Sequence, residues 1–185
     1  NYGVSEDKDA HIDYVGAGLL AGILLNAHAV DFVVMGCASG EGVMLSANAM
    51  PHVYCGFITD AVDAKLFAKI NAGNAVSIPF GKYFGVGTEF QLESIFETLF
   101  QTPFGEGYPL ERREIQEKQR ASLSEIKRIS QINMSEIVEE VDKDFLYQII
   151  HNEYFEENFF EHSQDDEISE LLKDLFDAWV EEPFN

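Results

Sequence analysis

An α/β fold, with a parallel sheet between layers of helix and an all-helical acidic extension after it, is predicted by three features of the 185-residue sequence. Between Ile12 and Asn74, helical apolar patterning alternates with short continuous apolar runs, as expected of parallel strands covered by helices on both faces. Glycine-rich stretches follow predicted strands directly, where a strand-to-helix turn needs them. Charge divides the chain at Gln131. From there to the end stand 17 acidic and 2 basic residues, a net of −15, against 16 and 10, a net of −6, in residues 1–130.

The elements follow in order. Residues 12–28 (IDYVGAGLLAGILLNAH) read as a largely buried helix, dense in Gly and Ala for close packing. DFVVMG at 31–36 reads as a strand buried on both faces, running into the turn Cys37-Ala-Ser-Gly-Glu-Gly42 and a helix over 43–48. VYCGFI at 53–58 is a second strand, 60–71 a helix with Asp60 as N-cap, and NAVSI at 74–78 a third strand. After Pro79 a second glycine-rich stretch, Gly81-Lys-Tyr-Phe-Gly-Val-Gly87, precedes a helix over 89–100. GEGYP at 105–109 is a turn, and 110–129 has the charged, well-spaced pattern of a surface helix. Beyond it Ile137, Val141, Phe145 and Ile149 recur every four residues, as do Ile168, Leu172 and Phe176, with Leu171, Leu175 and Trp179 beside them. Ser163, with Asp166 three residues later, has the form of a capping box. These helices are amphipathic. Their acids face solvent, and their aromatic side, with Tyr154, Phe155, Phe159 and Phe160, covers either the chain's own core or a subunit interface. The sequence thus reads as a Rossmann-like α/β domain over 1–130 with an acidic helical extension over 131–185.

Composition narrows the function classes. With 46% hydrophobic and 12% aromatic residues the chain can bury a core in spite of its net charge of −21. That charge repels phosphate backbones and anionic bilayers, so neither nucleic acid nor a membrane is an expected partner. No run of the roughly 18–20 apolar residues that a membrane span needs occurs, and the first residues lack the basic start and apolar stretch of a signal peptide. The expected location is cytoplasmic. Two cysteines, Cys37 and Cys55, form no CxxC pair and no disulfide scaffold, and five scattered histidines have no metal-ligand spacing.

The loop after the first strand is the most informative site, because ligands of open parallel sheets bind at the carboxyl ends of the strands. Its glycines let backbone N–H groups approach an anion at a helix N-terminus. It is neither a Walker A loop nor a full dinucleotide fingerprint. Spacing alone therefore fits an anion-binding turn and a purely structural turn equally. Cys37 tips this balance, because a thiol at a helix N-terminus has a lowered pKa and can act as base or nucleophile. Cys55, inside a strand, fits the part of a small buried hydrophobe.

These residues resemble the type B ribose-5-phosphate isomerases and galactose-6-phosphate isomerases, whose members carry a strand, a Cys-Gly-Thr-Gly-x-Gly loop and a helix ending in Ala-Asn. The match is Cys37-Ala-Ser-Gly-Glu-Gly42 with Ala47-Asn48, continuing through Val53-Tyr-Cys55 and Ile70-Asn-Ala-Gly-Asn74, over roughly residues 1–128. The resemblance implies an aldose–ketose isomerase that uses neither metal nor organic cofactor. It makes Cys37 the base that moves a proton between two carbons through an enediolate, with Ser39 and the N–H groups around Gly40 and Gly42 stabilising the oxyanion. Asn71 matches a substrate-binding asparagine. Arg112 and Arg113 are the local candidates for holding a phosphate, and Lys82 is a further one. The partners implied are a sugar or sugar phosphate and a second copy of the chain, since family sites are completed by a neighbouring subunit in a homodimer or higher homo-oligomer.

Four departures qualify these expectations. Ile70 stands where the family has the histidine that opens the sugar ring, so either another group opens it or the substrate is already open-chain. Glu41 brings a carboxylate into the loop, where it would raise the Cys37 pKa and repel an anion unless it points to solvent. Ala38 replaces a glycine. The family also has a first strand and helix before the segment that Asn1-Tyr-Gly3 resembles, which implies about thirty further residues ahead of it. Two other readings stay open: a non-catalytic sugar-phosphate binder that docks a partner through its acidic helices, and a thiol enzyme built on Cys37, which would lack a resolving cysteine.

Overall fold

The computed structural model describes residues 1–3, 12–82, 85–151 and 153–181, without the side chains of 153 and 179–181. The side chain of Trp179, expected on the apolar side of the last helix, and residues 83–84 of the second glycine-rich stretch lie outside what is described.

The first helix, α1 (Tyr14–Asn26), starts where the Asp13 side chain accepts the Gly16 N–H at 2.7 Å. Strand β1 (Val33–Cys37) leads through the glycine turn into α2 (Glu41–Ala49), and β2 (Cys55–Phe57) leads into α3 (Ala61–Leu66). Asp60 caps α3 as expected, accepting from Val62 and Asp63 N–H at 2.8 and 2.9 Å. The helix ends in a single π-helical turn, Phe67–Asn71, and β3 (Ala75–Pro79) follows. The three strands are parallel in the order β1-β3-β2, with Val33 and Cys55 both level with Ala75, and Cys37 level with Pro79. β3 is central and buried throughout.

The first strand departs from expectation. Expected to be buried on both faces, it exposes Val34 by 40%, and among the described residues it stands at one edge of the sheet. A cavity of about 540 Å³ runs along this edge between Leu20, Leu24, Phe32 and Val34.

Helices cover both faces of the sheet. α1 and α2 pack on one face through Ala21, Leu25, Met35, Val43, Ala47 and Ala75. They approach closely because Gly18 and Gly22 have no Cβ; one at Gly18 would collide with Ser46, and one at Gly22 would lie 2.7 Å from the Met50 side chain. The other face holds α3 and α4 (Thr88–Gln101) through Ile58, Phe67, Val76, Ile95 and Leu99. A short 3-10 turn, Leu110–Arg112, opens α5 (Arg113–Ser130), which crosses the amino ends of the strands. There Lys127 Nζ donates to the carbonyls of Met50 and Val53, and Tyr54 Oη donates to Ser124 Oγ at 3.0 Å.

The acidic segment forms α6 (Met134–Glu140), α7 (Lys143–Ile150), α8 (Glu153–His162) and α9 (Asp166–Glu181). The fourfold spacing from Ile137 to Ile149 is not one helix. Val141 is extended, and Asp142 starts α7 by accepting the Phe145 N–H at 2.8 Å. The cap of α9 is likewise Asp165, which accepts the Ile168 N–H at 2.9 Å, while Ser163 is paired with Ser169. A complete capping box stands instead at Asn133 and Glu136. The apolar side of this segment packs on α1: Leu19, Leu20, Ile23 and Leu24 meet Leu146, Ile150, Phe155, Phe159 and Leu172 in one buried cluster. Between the sheet layer and this cover, α1 is buried nearly all round, which is why its sequence lacks a polar face.

Candidate active site

Cys37 ends β1, and the chain reverses within three residues to begin α2. Gly40 makes this possible. Its φ of +75° suits glycine, and a Cβ there would sit 2.6 Å from the Phe57 ring and 3.0 Å from Pro79 N. The turn is tied to the loop after β3, since Phe80 N–H donates to the Cys37 carbonyl at 3.0 Å and Gly81 N–H to that of Ala38 at 2.8 Å. The hydroxyl of buried Ser77 donates to the Gly40 carbonyl beneath it. Two adjacent parallel strands thus deliver their loops to one rigid cradle.

Within it the half-buried Cys37 Sγ accepts the Gly40 N–H at 3.2 Å and lies 4.0 Å from Ser39 Oγ. Desolvation opposes the thiolate, but the backbone N–H groups of Val43 and Gly40, then the Ser39 hydroxyl and backbone, outweigh it and hold the thiol pKa below its ordinary value. Ser39 Oγ also accepts the Glu41 N–H at 3.3 Å. Glu41 itself is exposed and pairs with Lys82 Nζ at 3.3 Å, so its charge is turned to solvent and partly balanced from the second glycine-rich loop. Cys37, Ser39 and Gly40 therefore stand together, a sulfur facing an N–H donor and a hydroxyl, a geometry suited to moving a proton beside a developing oxyanion, while Gly42 lies in the first turn of α2 against the Tyr14 ring.

The other expected residues lie at the opposite end of the sheet. Asn71 closes the π-helical turn before β3, on the amino side of the strands. Four residue steps separate the level of Ala75 from that of Cys37, about 13 Å at strand rise. Ile70 and Asn71 border a cavity of about 220 Å³ with Arg120 of α5. Arg120 donates to the Ile70 carbonyl at 2.8 Å. Arg112 and Arg113 are exposed at this same end, outside that cavity. Arg120 was not singled out by the sequence; only its place two helical turns beyond Arg113, on the same helix, pointed toward it.

Several family-like asparagines have structural duties. Asn48 holds the start of β2, accepting the Cys55 N–H at 3.0 Å and donating to its carbonyl at 2.9 Å. Asn74 accepts the Tyr54 N–H at 2.8 Å. Among the described residues no group of three or more His, Cys, Asp or Glu side chains could hold a metal ion, and no helix is long and apolar enough to cross a membrane.

Residues 1–117 match the family model for ribose/galactose isomerase, and residues 129–175 match a second one described as ribose-5-phosphate isomerase. Among solved structures, the chain is similar to 4-deoxy-L-threo-5-hexosulose-uronate ketol-isomerase complexed with a tartrate. Identity is 44% and the TM-score 0.93, over 96% of this chain and 84% of that one. A ribose-5-phosphate isomerase from Vibrio parahaemolyticus is similar at 40% identity and TM-score 0.91, over 95% and 82% of the two chains. Ribose-5-phosphate isomerase B of Clostridium thermocellum shares the fold, at 18% identity and TM-score 0.56, over 69% and 78% of the two chains. No curated protein matches.

Proposed function

The chain belongs to the ribose/galactose isomerase family and is a sugar isomerase of the aldose–ketose kind; from that premise we propose that Cys37 is its base and an enediolate its intermediate. The Cys37 thiolate removes the proton from the carbon next to the substrate carbonyl, and the electron pair moves onto the carbonyl oxygen; the thiol, whose proton exchanges with solvent in part, then protonates the former carbonyl carbon, while the hydroxyl proton of the first carbon passes by way of the Ser39 hydroxyl to the former carbonyl oxygen, leaving a carbonyl at the first carbon. Ser39 Oγ and the N–H groups around Gly40 and Gly42 receive the oxyanion, where fixed donors in a partly dry site contribute most. The observation that carries this reading is the sulfur held by the Gly40 N–H at the start of α2, with the Ser39 hydroxyl beside it. Replacing Cys37 by Ala should lower solvent exchange of the substrate C2 proton by about a thousandfold or more. Exchange retained within tenfold of wild type would remove Cys37 as the base.

Asn71, Arg112 and Arg113 belong to the proposal as substrate-binding residues, and Arg120 joins them. Their separation from Cys37 supports a site assembled from two copies in a homo-oligomer, with the sheet's carboxyl end of one facing the amino end of the other. Ile70 carries no transferable proton, which supports a substrate that arrives open-chain. The similar proteins are named for a uronate and for a ribose phosphate, so the substrate class is a sugar bearing an anionic group. We propose likewise that the chain divides into an α/β domain over 1–130 and a helical extension over 131–185, and that it works in the cytoplasm.

A further inference from the structure

The cavity at the amino end of the sheet is unequally equipped, and the inequality bears on the substrate. Its apolar wall is Phe67, Ile70 and Leu123, and among the described residues lining it Arg120 is the one cation. Two nearby amides are already committed. Asn48 serves the Met44 and Cys55 backbones, and Gln116 exchanges hydrogen bonds with Tyr108 N and O at 3.0 and 2.8 Å. Lys127 is no substitute either, because its ammonium is held by the Met50 and Val53 carbonyls beside the Tyr54 ring, 5.1 Å from the centroid. Arg120 gives one N–H to the Ile70 carbonyl at 2.8 Å, which fixes the plane of its half-buried guanidinium and leaves its other donors for a ligand.

Resting on the isomerase reading above, we infer that this cavity anchors the carboxylate end of an open-chain sugar acid, with Arg120 as a bidentate partner and Asn71 beside it. A planar fork matches a planar carboxylate with two parallel hydrogen bonds and one-to-one charge. A phosphate monoester brings about −1.5 to −2 charges, and because Arg112 and Arg113 stand exposed outside the cavity, the one guanidinium lining it leaves excess charge to be desolvated against Phe67 and Ile70. The chain's net charge of −21 adds to the penalty for the more highly charged ligand. Ile70 fits the same ligand, because an alkyl side chain can flank the backbone of an open chain and need not open a ring.

The test uses two pairs of unreactive open-chain ligands, each made by reduction at C1: the hexonate from galacturonate with the alditol phosphate from galactose 6-phosphate, and the hexonate from glucuronate with the alditol phosphate from glucose 6-phosphate. Members of a pair differ only in the terminal anion. Calorimetry on the full chain should show at least one carboxylate ligand binding about tenfold or more tighter than its phosphate counterpart. Arg120→Gln should weaken that ligand by about tenfold or more, with Arg120→Lys recovering part of the loss and the melting temperatures of both variants close to wild type. Tighter binding of the phosphates, binding of no member, or carboxylate binding unmoved by Arg120→Gln overturns the inference. A parallel assay of C2 proton exchange across the unreduced sugars judges the isomerase reading separately. Exchange on phosphates alone leaves that reading standing and removes this inference, whereas carboxylate binding without exchange on any sugar does the reverse.

Discussion

Cys37 and Cys55 are both half-buried thiols on neighbouring parallel strands, and their surroundings push them in opposite directions. At Cys37 backbone N–H groups at the start of α2 outweigh desolvation and lower the pKa, whereas burial drives Cys55 up to about 12 against the opposing charge of Lys127. Cys37 therefore reaches its basic, nucleophilic form at a lower pH than an ordinary thiol near ~8.5, and Cys55 stays protonated through the neutral range. Alkylation by iodoacetamide at pH 7 should label Cys37 and spare Cys55, with a rate that rises with pH about a midpoint below that of a free thiol. Mass spectrometry of the labelled peptides checks this; equal labelling of both, or a midpoint above that of a free thiol, would contradict it. This contrast was legible in the sequence because its causes are local. A cysteine before a glycine turn meets helix N–H groups, while one inside a strand meets packing. Arg120 was not legible, since nothing in its neighbourhood along the chain distinguishes it from the other charges of a surface helix.

At the scale of elements, the sequence located helices and strands to within a few residues but misjudged what lay between some of them. Capping residues compete: Asp165 and Ser163 both suit a helix start, and the one whose oxygen reaches the Ile168 N–H becomes the cap. The break between α6 and α7 hides in a regular fourfold spacing, because Val141 keeps its apolar contact while its backbone becomes extended. The C-terminal half of α5 depends on a bond no pattern shows. Lys127 reaches past its own helix to the carbonyls of Met50 and Val53 in the loop before β2, and gives up part of its hydration to do so, which lowers its pKa to about 8. Lys127→Met keeps the stem and removes the donor. It should destabilise the protein by about 1–3 kcal/mol, the cost of leaving buried acceptors unpaired, measured as a shift in urea midpoint; no loss of stability would mean that water satisfies both carbonyls.

At the scale of the whole molecule, the two constellations stand at opposite ends of one three-stranded sheet, and this separation makes a sharp prediction. The Cys37→Ala protein, inactive alone, and the Arg120→Gln protein, impaired alone at substrate levels below its raised KM, should recover activity at those levels when mixed and allowed to exchange subunits. Half the dimers are then mixed and each mixed dimer has one intact site, so about a quarter of wild-type activity returns if each site takes residues from both copies. Steady-state assay of the mixture checks it, and no recovery would put both constellations to work within single copies. The acidic extension has a second whole-molecule role. It covers α1 with Phe155, Phe159 and Leu172, so its aromatic side serves the chain's own core, and the net charge of −21 is carried largely on the outside of that cover. The sequence by itself determined the α/β class, the parallel strands, the cysteine turn and the amphipathic nature of the extension, because periodicity, capping and backbone freedom act over a few neighbouring residues. Only the tertiary structure decided that β1 lies at an edge, that the extension packs on α1, and that Asn71 and Arg120 meet far from Cys37. Strand order and helix packing depend on which surfaces bury each other across the whole chain, and no local pattern encodes that.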